Sequence, residues 1–351
     1  MKKAMKITAI ILVLLLIAVF VTGYIITAIE MNKNFRRGDY PDKRFSASWF
    51  YDHYEADYPR EEVSFMSGKN QLKGFVYGKE NNRGLIVFAH GIGSGHEFYL
   101  GLITRLVDRG WRVFAYDCTG SGYSEGESTV GLAQSVIDLD NALTFAENDP
   151  RMNSLDTYVL GHSWGGYAAA AVLNFDHDIK ACITMSGYNT PFEELAETCD
   201  DMYGKKGKLL YPFIWTYNKV KFGRNSSWAA VDGINKAGIP VLVIHGDDDS
   251  VIDFSGAGII AHKDSITNPK AEYKVFSEKG RNGHNSYFYT GEYVEYLENV
   301  LSPRANELKE KYDNNVPEDE RIRYYESIDG QLYNGFNPEL VELIDGFFGK
   351  V

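Results

Sequence analysis

A serine with glycine at both of its second neighbours is the first place where this sequence could do chemistry. Gly161-His162-Ser163-Trp164-Gly165-Gly166 follows a β-like apolar run, Thr157–Leu160, and precedes the small-residue helical pattern Tyr167-Ala168-Ala169-Ala170-Ala171. A G-x-S-x-G between a strand and a helix is the nucleophile-elbow arrangement. The turn is so tight that the positions two before and two after the serine must be nearly free of side chain, and Gly161 and Gly165 supply that. The hydroxyl is then held clear of the sheet, at a helix N-terminus that favours developing negative charge. Acyl transfer is the chemistry of such a serine, with a histidine as base and a carboxylate to orient it.

The partners are sought at other strand ends. His90-Gly91-Ile92-Gly93 follows the run Leu85–Ala89. A glycine-bearing loop there lets backbone N–H groups approach an oxyanion, and Ile92 N–H with Trp164 N–H would form a two-donor hole. The histidines after Ser163 are His177, His245, His262 and His284. His284 stands in Gly280-Arg281-Asn282-Gly283-His284, just past the run Tyr273–Phe276, where a last strand would deliver a base over the sheet. His245 directly precedes a run of carboxylates and reads as a supporting residue. The acid belongs past Pro240–Ile244, where His245-Gly246-Asp247-Asp248-Asp249-Ser250-Val251 offers three aspartates. Three adjacent carboxylates point in different directions and no glycine-bounded calcium loop surrounds them, so no metal is expected. Which of the three would serve stays open on these residues alone.

Taken together, His90-Gly91, Asp117-Cys118-Thr119-Gly120-Ser121-Gly122-Tyr123-Ser124, Gly161–Gly166, His245-Gly246-Asp247-Asp248-Asp249 and Gly283-His284 occur in the order found in α/β-hydrolases. The chain resembles the serine aminopeptidase and monoacylglycerol lipase-like branch over roughly residues 62–290 and the C-terminal helix. The resemblance implies that the last aspartate of H-G-x-x-D, here Asp249, is the acid of a Ser163–His284–Asp249 triad. It also implies that the H-G loop and Trp164 form the oxyanion hole, and that no cofactor is needed. The implied substrate is a small-molecule, lipid or peptide acyl compound, cleaved at a carboxylester, lipid or thioester bond. Cys118-Thr119 departs from the family, which usually has an arginine or another polar residue before the glycine. Two rival readings stand beside the esterase. Glu193, Glu194, Glu197, Asp200 and Asp201 could hold a substrate amine, as an aminopeptidase requires, or the chain could be a membrane-tethered binding protein without turnover.

The elements that must position these residues follow from hydrophobic patterning. Two β-rich runs, Glu62–Met66 and Gln71–Tyr77, have no helix between them and suggest an antiparallel start. Leu85–Ala89, Arg112–Tyr116, Thr157–Leu160, Ala181–Met185, Pro240–Ile244 and Tyr273–Phe276 are apolar enough to be strands buried on both faces. Helical patterns at about 97–109, 129–147, 164–174 and 250–263 fill the gaps, which argues a mainly parallel sheet in an α/β fold with helices on both faces. Pro338 opens a C-terminal amphipathic pattern to Phe348. Residues 187–235 are too long for one crossover and read as a small helical cap, in which Thr190 and Glu193 form a helix-start pair and the aromatic run Tyr211–Tyr217 faces the pocket. A charged, aromatic insertion occupies about 290–335.

The N-terminal region has a different solvent in mind. Ile7–Ile29 is apolar apart from Thr8, Thr22, Gly23, Tyr24 and Thr27, long enough to span a bilayer, and is preceded by Lys2, Lys3 and Lys6. It lacks the short apolar core and small-residue cleavage site of a signal peptide. The expectation is a single-pass anchor over residues 1–30, then a charged aromatic stalk over 31–61, then the catalytic domain over 62–351. Lys33, Arg36, Arg37, Lys43 and Arg44 balance the leading lysines, so charge bias does not set the orientation; a long domain can translocate regardless, and an extracytoplasmic domain is expected. The net charge of −12, with no basic stripe evident in the body, argues against nucleic acid as a partner. Three cysteines, Cys118, Cys182 and Cys199, form neither a zinc pattern nor a disulfide framework.

Overall fold

In the computed structural model, which describes residues 2–351, eight strands form one sheet in the order β1-β2-β4-β3-β5-β6-β7-β8. The strands are β1 (Arg60–Ser67), β2 (Asn70–Tyr77), β3 (Leu85–Ala89), β4 (Arg112–Tyr116), β5 (Thr157–His162), β6 (Ile179–Met185), β7 (Val241–Gly246) and β8 (Ala271–Phe276). The β1–β2 and β2–β4 pairs are antiparallel, and every pair from β4 to β8 is parallel. The central strands β3, β5 and β7 are buried along their whole or nearly whole length, which is why they read as continuous apolar runs.

The helices are α1 (Lys2–Asn34), α2 (Leu100–Asp108), α3 (Gln134–Asn148), α4 (Trp164–Ala171), α5 (Pro191–Tyr203), α6 (Tyr211–Phe222), α7 (Ala230–Ala237), α8 (Gly291–Tyr296), α9 (Ser302–Lys311), α10 (Glu318–Glu326) and α11 (Pro338–Phe348). Single turns at Tyr51–Tyr54 and Gly330–Tyr333 complete the set. One core lies between the sheet and α3, α4 and α7; the other lies under α2 and α11. The cysteines are buried and unpaired. The helix expected at 250–263 is not formed; only a 3-10 turn at Ile259–Ser265 is present. Side chains satisfy that backbone instead. Asp249 accepts from Val251 and Ile252 N–H, and Glu197 accepts from Asp253 and Ala257 N–H.

The cap contains α5 and α6, while α7 is the crossover helix into β7. Thr190 caps α5 and accepts from Glu193 N–H at 3.1 Å, as the sequence predicts. The aromatic run does not face the site. Phe213 packs on Phe20 of α1 with ring centroids 5.2 Å apart, Tyr217 donates to Asn32 Oδ1, and Trp215 points outward. A Cβ at Gly23 would lie 2.6 Å from the Phe213 ring, so only glycine permits this approach. The residues of α1 that touch the domain, Gly23, Tyr24, Thr27, Ala28 and Met31, share one face at helical spacing. They include three of the five interruptions in the apolar run. The segment 202–228 also corrects the expectation of no basic stripe: Lys205, Lys206, Lys208, Lys219, Lys221 and Arg224 occur there with no carboxylate.

The stalk is part of the domain. Phe35 and Phe50 are buried. Arg37 donates to the backbone carbonyls of Gly122, Ser124 and Gly126 at 2.6–2.9 Å, and Gly38 forms a bridge with Ser121. The insertion clasps the same stalk, through an Arg44–Glu318 ion pair, Arg321 stacked over Phe45 and Asn334 bonded to Ala47 and Trp49. Arg37→Ala removes three donors from half-buried carbonyls and should lower the stability of the full chain by about 1.5–3 kcal/mol. Thermal unfolding in detergent checks this; an unchanged midpoint would show that the stalk is not held by Arg37.

Candidate active site

The geometry of the site begins with crowding at the end of β5. A Cβ on Gly161 would sit 2.0 Å from Gly165 O, and one on Gly165 would sit 2.0 Å from Ala89 O. Gly166 is equally confined, with Met185 O at 2.6 Å. Ser163 turns the chain from β5 into α4 at φ 57°, ψ −117°, a region a side-chain-bearing residue enters only under constraint. Its N–H is held by Met185 O at 2.8 Å. Trp164 is the first residue of α4, so its N–H is among those a helix start leaves without an internal partner. The Trp164 side chain is fully buried and its indole donates to Leu132 O.

Asp249 and His284 are brought together. His284 Nδ1 lies 2.8 and 3.0 Å from the two Asp249 carboxylate oxygens. Burial opposes the Asp249 charge, but the His284 contact and the N–H groups of Ile252 and Val251 outweigh it and hold the carboxyl below its usual range. The other two aspartates are exposed; Asp247 accepts from Asn282 and does not approach the histidine. His245 is buried behind Asp249, with Nε2 at 3.0 Å from Ile252 O and 3.4 Å from Asp249 Oδ2.

His162 was not singled out by its position in the motif, although it occupies the first variable place of G-x-S-x-G. Its ring packs 4.9 Å from that of His284, and its Nε2 is 3.1 Å from His284 O. Nδ1 lies 2.9 Å from Tyr99 OH, and the same hydroxyl accepts from Gly91 N–H at 3.1 Å. The consistent assignment is Gly91 N–H to Tyr99 O–H to His162 Nδ1, with His162 Nε2–H donating to His284 C=O. Burial, then the neighbouring His284, pushes the His162 pKa down to about 3, so the ring is neutral as this chain requires. One hydrogen-bond chain therefore ties the 90–93 loop, the Ser163 turn and the His284 loop.

Ile92 lies in the turn after Gly91 and is partly exposed. That turn is propped from the stalk: a Cβ on Gly38 would lie 3.0 Å from Gly93 Cα. Cys118, the departure from the family pattern, donates its N–H to His90 Nε2 at 2.9 Å, so its backbone does the supporting. Beside Tyr99 lies a cavity of about 360 Å³, lined by Trp49, Tyr54, Phe288, Tyr293 and Tyr333 among others. Stalk and insertion residues line it together with the 94–101 segment and the 285–289 loop, and no cap residue does.

The comparisons with known proteins fit this arrangement. A family model described as serine aminopeptidase, S33, matches residues 80–199, which include the 90–93 loop and Ser163. Alpha/beta hydrolase domain-containing protein 17C of Mus musculus is 26% identical over 266 residues, covering 73% of this chain and 72% of its own. Protein 17B of Homo sapiens is 25% identical over 272 residues, covering 73% and 80%. An esterase of Pyrococcus furiosus superposes with a TM-score of 0.52 at 17% identity, over 81% of this chain and 100% of its own, which speaks to fold. The chain is a member of the α/β-hydrolase superfamily.

Within this α/β-hydrolase the acidic run of the cap is committed to structure. Glu197 binds two backbone N–H groups, Asp200 accepts from Tyr211 and Glu193 lies 3.4 Å from His262. Glu194 is buried with its Oε2 unpartnered, and burial, then Glu197, Asp249 and Asp201, pushes its pKa up to about 8. The native chain then keeps a proton that the unfolded chain releases near pH 4.5, so stability falls as pH rises from 4.5 towards 8 and levels off beyond. Glu194→Gln should remove this dependence, leaving stability unchanged at pH 4.5 and raising it by roughly 2–4 kcal/mol at pH 8.5. Denaturant titrations at the two pH values test it; equal shifts at both would reject a neutral native Glu194.

Proposed function

We propose that the protein is a membrane-anchored serine hydrolase that cleaves an ester-like bond through an acyl-enzyme. The observation that carries this reading is Ser163 on its constrained turn, whose neighbour His162 packs on the His284 that is bonded to Asp249. With Nδ1 engaged by Asp249, His284 has Nε2 to take the Ser163 proton as Oγ attacks the substrate carbonyl. The tetrahedral oxyanion is bound by the N–H groups of Ile92 and Trp164, and Asp249 stabilises the imidazolium. His284 returns the proton to the leaving oxygen as the acyl–Ser163 ester forms. A water, deprotonated by the same nitrogen, then attacks that ester and releases the acid. None of these steps calls for a metal.

An ester substrate is favoured over an N-terminal amine because Glu194 is neutral near pH 7 and Glu197 and Asp200 already have partners. The names of an esterase structure and of hydrolase relatives support the same class. α1 is long and apolar enough to cross a bilayer. We read it as a single-pass anchor with a cytoplasmic N-terminus and the catalytic domain outside; protease added to intact cells would then remove the domain.

Ser163→Ala should lower ester turnover by several orders of magnitude and abolish labelling by a fluorophosphonate, with the unfolding midpoint retained. A folded variant with near-wild-type turnover would reject the assignment. Wild-type chain that resists labelling would indicate a binding protein, and faster turnover of aminoacyl amides than of acyl esters would favour the peptidase reading.

A further inference from the structure

The outer face of the cap has a composition that neither the sheet nor the site uses. Met202, Tyr203, Leu209, Trp215 and Val220 are 53–74% exposed, far more than residues of these types in a core. Between them stand Lys205, Lys206 and Lys208, all exposed, and no carboxylate occurs from 202 to 228. Elsewhere the chain is acidic enough to reach a net charge of −12. Apolar and cationic groups mixed on a surface, with aromatic residues among them, suit the boundary between lipid headgroups and acyl chains.

The position of that face supports the same conclusion. α6 runs alongside α1, with Phe213 against Phe20 and Gly23, and Tyr217 and Lys221 bonded to Asn32. Gly23 is six residues before Ile29, where the apolar run ends, or about 9 Å along the helix. If α1 crosses a bilayer, the first turn of α6 is therefore carried about that far below the end of the apolar run. Interfacial helices bury their apolar faces to about 5–10 Å. The lysine stems are long enough to bring their ammonium groups back to the phosphates, and anionic lipid favours them there.

We propose that the cap from Met202 to Val220 is a lipid-contacting surface, lying in the headgroup–acyl boundary of an anionic bilayer beside α1. The inference rests on the reading of α1 as an anchor. It extends the proposed function, because the cap helix α5 carries Glu194 and Glu197 next to the Asp249 loop. A cap held in the lipid sets the catalytic site at the membrane surface, where acyl chains dissolved in the bilayer are the available substrates.

The test uses the full chain in vesicles of phosphatidylcholine, with and without phosphatidylglycerol, containing lipid brominated in its acyl chains. Wild type and Trp215→Phe are compared by tryptophan quenching. The bromines should quench a component of the emission that Trp215→Phe lacks, and acrylamide in the water should quench that component several-fold less than it quenches free tryptophan. Adding phosphatidylglycerol should increase the bromine quenching in wild type but not in the triple variant K205E/K206E/K208E, whose hydrolysis of a short soluble ester stays unchanged. The same quenching in wild type and Trp215→Phe, free access of acrylamide to Trp215, or an equal response of wild type and triple variant to phosphatidylglycerol would overturn the proposal. A chain that floats with the vesicles while giving any of these results keeps its anchor and loses only the cap contact. A chain that does not float loses both readings, and fluorophosphonate labelling of Ser163 is untouched by any of these outcomes.

Discussion

The fold of this protein hangs on a steric exclusion at the end of β5. Gly161, Gly165 and Gly166 stand where an added methyl would meet backbone oxygen at 2.0–2.6 Å. Those oxygens belong to α4, to β3 and to β6, so three elements close on one turn. Backbone cannot move aside as a side-chain tip can, and the close packing of a protein interior leaves no room to relax. Between these glycines His162, Ser163 and Trp164 keep room for side chains, and Ser163 takes the positive φ of the turn. The sheet does not merely carry Ser163; the register of β3, β5 and β6 is what leaves its hydroxyl a place to stand.

The same logic of burial sorts the polar groups around it. Three consecutive aspartates follow β7, and only the third is turned inwards, where Val251 and Ile252 N–H and the His284 ring meet it. Two further histidines, His162 and His245, are also buried there, and burial lowers the pKa of both. A neutral imidazole can donate from one nitrogen and accept at the other, which is what the Tyr99–His162–His284 chain uses. Asp249 thus carries the buried charge beside His284, while burial favours the neutral form of His162 and His245. The unpartnered Oε2 of Glu194 fits this pattern, since a second carboxylate near Asp249 is held neutral.

Much of this was legible in the sequence, and the exceptions have physical causes. The strands were readable because β3, β5 and β7 are covered on both faces, which forces uninterrupted apolar runs. The glycine-flanked serine was readable because the turn excludes every alternative. Asp249 could not be separated from Asp247 and Asp248 by residue type, since the difference is direction, and only the resemblance singled it out. The 250–263 segment carries apolar residues at helical spacing, yet it folds as a loop whose Asp253 and Ala257 N–H groups bind Glu197, which comes from a distant helix. Residue type alone does not mark His162, because it is not placed to act as a base and its contribution is to hold backbone. The stalk aromatics stand out in the sequence, but their partners lie far along the chain, as with Tyr40 and Asp117 or Phe45 and Arg321.

The apolar N-terminal run illustrates how a sequence can state two things at once. Its overall hydropathy marks a segment able to cross a bilayer, and its interruptions look at first like noise in that signal. Gly23, Tyr24 and Thr27 lie on one face, and that face is the one packed on the cap. Between helices in lipid there is little hydrophobic gain from contact, so close packing through small residues does the work. Gly23 lets Phe213 approach, and Asn32 receives Tyr217 and Lys221 where the helix leaves the apolar stretch. From there Phe35 enters the core, Arg37 is fixed to three carbonyls and Gly38 packs on Gly93 of the loop that bears Ile92. α1, the stalk and the 90–93 loop are therefore joined by direct contact, with no free linker in between. From Gly23 on α1 to Gly38 against Gly93 is fifteen residues of chain packed on the domain, ending at the loop near Ser163.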